Sequence, residues 1–262
     1  MDLGIRGKVA MVAAGSKGLG RAAALALAAE GCAVSICSRG AEALETTRAE
    51  LEALGVPALA VVADISTAED LAGWHAATVA GLGPVDILVT NTGGPKAATF
   101  DHLSDADWAA GVDSTLLNVV RMTRLVLPAM KARQWGRIVH ITSLVAKQPY
   151  PLLTISSTLR AGLSGLTRTL ALETAADGIT VNALLPGHVM TDRQHHLAEV
   201  KSQAEGITVE EHFRRQAAAI PARRIGEPAE VGAVIAFLCS GPASYLTGQS
   251  LLVDGGLVQG TF

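Results

Sequence analysis

The chain has 262 residues, 49% of them hydrophobic and 17% charged, and a formal net charge of -3. This balance predicts one large α/β core and excludes a disordered or membrane-spanning chain, and it argues against nucleic acid or an anionic membrane as the main partner. Cys32, Cys37 and Cys239 are odd in number and lack metal or redox spacing, so they read as buried thiols of a reducing compartment. With no secretory pattern over residues 1–7, the expected location is cytoplasmic.

In chain order, apolar runs of strand length alternate with longer amphipathic segments, the pattern of a parallel sheet covered by helices on both faces. Val9, Met11 and Val12, with the alanines beside them, form the first strand; a glycine-rich turn follows, then an alanine-rich helix over residues 21–30. Ala33–Ser38 is the second strand, residues 42–54 a helix closed by Gly55, and residues 58–63 a third strand ending at Asp64. Residues 67–82 make the next helix, with Ser66 and Glu69 spaced as a capping box. Strands four to six lie at 86–90, 137–142 and 180–184, separated by long helices at 107–133 and 154–176. A helix at 228–239 and a strand at Ser250–Val253 complete the pattern. No linker or repeat divides it, and residues 1–262 are expected to form a single domain.

The turn reads Gly15-Ser16-Lys17-Gly18-Leu19-Gly20. Gly18 permits a tight bend and Gly20 a close helix–sheet approach, so the free N–H groups of the first helical turn face an anion, most naturally a dinucleotide pyrophosphate. The second strand ends Cys37-Ser38-Arg39 with no carboxylate. An acidic residue there would bind the ribose hydroxyls of NAD(H), whereas a 2′-phosphate needs cations. Arg39 and Lys17 therefore favour NADP(H) over NAD(H); each taken alone also reads as a solvated loop charge.

The glycine turn, Asp64, Asn91-Thr92-Gly93, Ser143, Pro186-Gly187 and Asp254-Gly255-Gly256 follow one another in an order that resembles the short-chain dehydrogenase/reductase family, of the 3-oxoacyl-ACP reductase kind, over nearly the whole length. The resemblance implies a Rossmann-type, doubly wound, seven-stranded parallel sheet, a nicotinamide cofactor and a homotetramer. It also implies that Asp64 and Ile65 cap the adenine and that Asn91, Thr92 and Gly93 flank the ribose. Pro186, Gly187, Val189 and Thr191 would then line the nicotinamide end, with Thr191 on the carboxamide.

The chain departs from the family in two places. Ala13 and Ala14 stand where the turn usually has Thr and Gly, and an alanine there is tolerated if φ stays negative. The second departure is in the catalytic set of asparagine, serine and Tyr-x-x-x-Lys. Counting back from residues 165–173 puts Ser156 in the tyrosine slot and Arg160 in the lysine slot; Ser143 keeps the serine, and counting from Pro128 puts Thr115 in the asparagine slot. Arg160 can hold ribose hydroxyls but is effectively never deprotonated, and Ser156 is a far poorer acid than a phenol.

The proton donor then lies elsewhere or is absent. Tyr150 and Lys147, in a proline-stiffened loop, are candidates, the alternative being a packed tyrosine and a solvated lysine. His188 can titrate near neutral pH or bond to backbone, and His140 reads as a strand residue of the core. His195, His196 and His212 lie in a polar segment, residues 191–224, expected to be the substrate lid; adjacent histidines face different ways, so no metal site is expected. Arg193, Lys201, Arg214, Arg215, Arg223 and Arg224 in that lid, with Lys96, suit an acidic small-molecule substrate, or are ordinary surface charge balanced by neighbouring glutamates. Three functions follow: an NADP(H)-dependent oxidoreductase with an atypical Ser143–Ser156–Arg160 centre, a non-redox lyase or isomerase beside a bound cofactor, or a cofactor-binding regulatory protein without chemistry.

Overall fold

Seven parallel strands form the single sheet of the computed structural model, which describes residues 2–260, in the order β3-β2-β1-β4-β5-β6-β7. Strands β1 (Val9–Val12), β2 (Ala33–Ser38), β4 (Ile87–Thr90), β5 (Gly136–Ile141) and β6 (Ile179–Pro186) are buried along nearly their whole length without alternation, because helices cover both of their faces. The edges are β3 (Ala58–Val62) and β7 (Ser250–Val253), which are less buried. The direction of winding reverses between β1 and β4, which pair in parallel, and this switch point opens a crevice at the carboxyl ends of the strands.

Helices α1 (Gly18–Ala29), α2 (Ala41–Ala53) and α9 (Pro228–Leu238) belong to one face; α3 (Ala68–Leu82), α5 (Asn118–Arg133) and α6 (Thr154–Thr174) cover the other. Two cores result. Leu27, Val34, Ile36 and Ile235 pack under α1 and α9, while Leu71, Trp74, Met122 and Met130 fill the opposite side. The α1–α9 contact is backbone against backbone: a β-carbon on Gly232 would stand 3.0 Å from the carbonyl carbon of Ala22. All three cysteines are free and buried.

Several local expectations are corrected. The cap of α3 is Thr67, whose hydroxyl accepts from the Asp70 N–H, and not a Ser66–Glu69 box; Ser66 instead bonds Asp64. The long helix expected over 107–133 is broken. Helix α4 (Asp105–Val112), capped by a true Ser104–Asp107 box, runs into one π-helical turn at Asp113–Leu117 before α5 begins. Strand β6 runs on to Pro186, two residues further than expected. Residues 191–224 hold two helices, α7 (Asp192–Glu205) and α8 (Val209–Ala219), each started by a threonine cap. Ala14 does not keep a negative φ: it sits at φ 49°, in the left-handed region.

Candidate active site

The glycine turn leaves β1 at the switch point and brings three segments into contact. Gly15 approaches β2 so closely that a β-carbon would lie 2.6 Å from Ile36 Cγ2. Gly18 has φ 53°, and its missing side chain leaves Thr191 Cγ2 at 3.5 Å from the β-carbon position. A β-carbon on Gly20 would stand 2.8 Å from the Ala14 carbonyl carbon and 2.9 Å from Asn91 Nδ2. Residue 20 therefore has to be glycine, and the turn is locked against the β4 end. A cleft of about 550 Å³ opens here, lined among others by Ser16, Lys17, Gly18, Thr47 and Thr191. Its outer wall is tied down by α2, where the Thr47 hydroxyl donates to the Ser16 carbonyl at 3.1 Å.

The charges around this cleft are mixed. Lys17 faces Asp192 of α7 at 3.9 Å, with both side chains mostly in solvent, and Arg21 is held by Glu50 at 2.7 Å. At the β2 end Arg39 is exposed. Asp64 Oδ1 accepts from the Ser66 N–H and hydroxyl, and these bonds, with the positive charge of Arg39, hold its carboxyl below the usual range.

Deeper in the crevice, Ser156 and Arg160 lie one turn apart on α6 and both are buried. The guanidinium is oriented from three sides: Nε donates to Ser156 Oγ at 3.2 Å, Nη1 to the Thr142 carbonyl at 2.7 Å and Nη2 to the Gly93 carbonyl at 3.4 Å. No carboxylate is among these partners. Burial, with the charge of Arg193 nearby, brings Arg160 down to about 10, so it remains a cation at neutral pH. Ser143 caps the short turn after β5 by accepting from the Val145 N–H at 3.3 Å. The π turn carries Thr115, whose buried hydroxyl has no partner among the described residues, and the same holds for Thr92.

A family model described as Enoyl-(Acyl carrier protein) reductase matches residues 13–258. The chain belongs to the short-chain dehydrogenase/reductase family. A putative ketoacyl reductase of Streptomyces coelicolor is 38% identical over 95% of this chain and 97% of its own. The L-sorbose reductase of Gluconobacter frateurii, crystallised with NADPH and L-sorbose, superposes with a TM-score of 0.95 at 32% identity, covering 99% of this chain and all of that one. An actinorhodin polyketide ketoreductase with NADPH gives a TM-score of 0.91 at 38% identity over 95% and 97% of the two chains. This chain is thus an oxidoreductase of the short-chain dehydrogenase/reductase type, and no helix among its described residues is long and apolar enough to cross a membrane.

The remaining candidates of this family member fall in different places. Tyr150 accepts a bond from Gln148 Nε2 at 3.2 Å and lines a second cavity, of about 370 Å³, with Thr154, Ser157, Thr158 and Ala161. That is a neighbouring stripe of α6, rotated from the Ser156–Arg160 stripe. Lys147 is exposed beside it. His140 is buried in β5, its Nδ1 3.0 Å from the Thr90 hydroxyl, which makes it a core residue as expected. His188 Nδ1 meets Gln216 Nε2 at 3.2 Å, and Gln216 Oε1 in turn accepts from Gln194 at 2.7 Å. Burial, then Lys201 and His212, lower the His188 imidazole, so it is neutral at pH 7. The Gln194–Gln216–His188 chain was not anticipated, since nothing in the sequence pairs two glutamines on separate helices. Thr191, besides facing Gly18, caps α7 by accepting from the Gln194 N–H at 3.3 Å.

Proposed function

We propose that this chain is a cytoplasmic NADP(H)-dependent oxidoreductase that interconverts a carbonyl and an alcohol at an atypical Ser143–Ser156–Arg160 centre. The observation that carries the reading is Arg160: a buried cation, fixed by the Thr142 and Gly93 carbonyls at the strand ends, donating to the hydroxyl one turn earlier on its helix. Ser156 and Arg160 stand at the spacing of the family's tyrosine and lysine.

The crevice fits a dinucleotide. Gly93 has open space at its β-carbon position, Gly18 and Gly20 clear the turn, and Lys17 lies on the cleft. Residues 15–20 would hold the pyrophosphate, and Ser38 with Arg39 a 2′-phosphate. Asp64 and Ile65 would sit at the adenine, Asn91 to Gly93 at the ribose, and Pro186, Gly187, Val189 and Thr191 at the nicotinamide. That NADPH occupies two of the similar structures supports the phosphate form. When bound, the nicotinamide supplies or accepts hydride.

The protein's own groups then have separate duties. Three of the five N–H donors of Arg160 are used within the protein, which leaves two for ribose hydroxyls. Ser156 Oγ accepts from Arg160 and Ser143 Oγ from Val145, so each hydroxyl retains its proton for a substrate oxygen. Neither is a strong acid, and the proton is exchanged with solvent and not with a phenol. Helices α7 and α8, within 191–224, form the lid of a single-domain enzyme, assembled as a homotetramer, whose small-molecule substrate is acidic.

Stereospecific transfer of deuterium from labelled NADPH to a ketone panel tests this. Transfer supports it; NADPH binding with no turnover points to the regulatory reading, and turnover without a change in nicotinamide absorbance to a lyase or isomerase.

A further inference from the structure

Two guanidinium groups close on consecutive residues of the loop after β4. Arg160 Nη2 donates to the Gly93 carbonyl at 3.4 Å. On the next residue, Arg193 Cζ lies 3.0 Å, and its Nη1 3.1 Å, from where a β-carbon of Gly94 would stand. A β-carbon at residue 94 would displace the guanidinium from this position.

The two cations are employed differently. Arg160 faces inward and serves three protein oxygens. Arg193 is exposed, and no carboxylate among the described residues pairs with it. Several cations of the mouth and lid are already matched: Lys96 bonds Asp107 at 2.9 Å, Arg214 and Arg215 share Glu211, and Arg224 holds Glu230. Lys201 also has no carboxylate partner among the described residues and Arg223 donates to the Ala218 carbonyl, but Arg193 is the cation whose charge reaches Arg160. Like charges brought together without an anion repel, and an anion placed between them turns that cost into attraction.

We infer that Arg193 determines substrate specificity by receiving the carboxylate of a small oxo- or hydroxy-acid whose reacting carbon lies beside Ser143 and Ser156. The inference rests on the oxidoreductase reading and deepens it. A guanidinium takes a carboxylate through two parallel N–H bonds, which fixes orientation as well as charge. Because Arg160 bonds Gly93 and Arg193 lies against Gly94, a carboxylate on Arg193 would lie only a few bonds from a carbonyl beside Ser156. A long acyl chain or a neutral sugar offers no such group.

The test is calorimetric binding of acetoacetate and 2-oxobutanoate, each against its methyl ester, with and without NADPH. Wild type should bind the acids about tenfold or more tighter than the esters, as expected for one charge-assisted pair. Arg193→Gln should abolish the preference and Gly94→Ala should reduce it by pushing the guanidinium away. NADPH affinity should stay within about twofold in both variants. Equal binding of acid and ester, no measurable binding of either acid, or an intact preference in Arg193→Gln would overturn the inference. Loss of NADPH affinity in Arg193→Gln with the acid preference retained would also overturn it, assigning the arginine to the cofactor pyrophosphate. A wild type that prefers acids yet binds no NADPH would uphold Arg193 as the anion receptor while sinking the redox reading.

Discussion

Arg160 donates through Nε to the hydroxyl of Ser156 at 3.2 Å, so a buried cation polarises an oxygen one helical turn away. A lysine and a tyrosine at the same two positions would stand in the same relation. The double variant Ser156→Tyr with Arg160→Lys is therefore expected to create or raise generic carbonyl reduction by supplying an acid with a tunable pKa. Activity on the native substrate should fall, since the phenol fills volume that serine leaves open. Rates on a broad ketone panel and on the native substrate should move in opposite directions. A folded, NADPH-binding double variant with no gain on any ketone would show the register or the nicotinamide site to be wrong.

Cofactor preference should reside at Arg39. Its charge is already felt by Asp64, which places it at the carboxyl ends of β2 and β3, while Lys17 shares its charge with Asp192. Wild type should bind NADPH about tenfold or more tighter than NADH, the scale of one charge-assisted contact. Arg39→Asp should abolish or reverse this, and fluorescence titration of both cofactors measures it. Equal affinities in wild type would refute the assignment.

Ala14 is the clearest site for stabilisation. At φ 49° it bears the cost of an L-residue in the left-handed region, about 1 kcal/mol or more, against a smaller entropic cost for glycine. Ala14→Gly should raise the stability measured by urea unfolding by about 0.5–1 kcal/mol. An unchanged or lowered midpoint would mean that the turn does not carry this strain.

His140 should make stability depend on pH. Desolvation lowers its imidazole from 6.5 to about 4 in the folded protein. Between those values the unfolded chain binds the proton and the folded one does not. The contribution is complete above pH 6.5, declines as pH falls towards 4, and is level below that. The buried ring puts this loss at about 3 kcal/mol. His140→Phe should forfeit about 1 kcal/mol at pH 7 through the bond to Thr90, yet lose less on acidification. Parallel pH profiles for the two proteins would remove His140 as the cause.

The order of strands and helices was legible because apolar runs and amphipathic segments differ in period, and that difference survives any detail of packing. Local choices were less so. Ser66 and Thr67 are both hydroxyl residues with an acid three places on, and only the fold decides that Thr67 caps. A left-handed alanine carries no composition signal, so Ala14 stands out in the sequence only as a departure from the family's turn, with a negative φ expected; a π turn inside a helix leaves the apolar pattern nearly unchanged, so residues 113–117 read as ordinary helix. In the site, the i, i+4 spacing of Ser156 and Arg160 was visible along the chain. The meeting of Arg193 with Gly94 was not, because the residues are distant in sequence and meet only when α7 folds over the loop after β4. Conversely, Thr208 and Glu211 form a capping pattern that announces α8 and was available to be read.

The backbone contact between Gly232 of α9 and Ala22 of α1 has a bearing on how the chain acquires its structure during synthesis. Helix α1, which follows the glycine turn, is among the first segments to leave the ribosome, while the helix that covers it is encoded some two hundred residues later. Until that segment emerges, one flank of the first βαβ unit stays open to water. Such long-range closure delays folding and exposes apolar surface to association. Truncation before residue 228 should accordingly leave a nascent protein that retains the glycine turn in sequence but depends on chaperones to remain in solution.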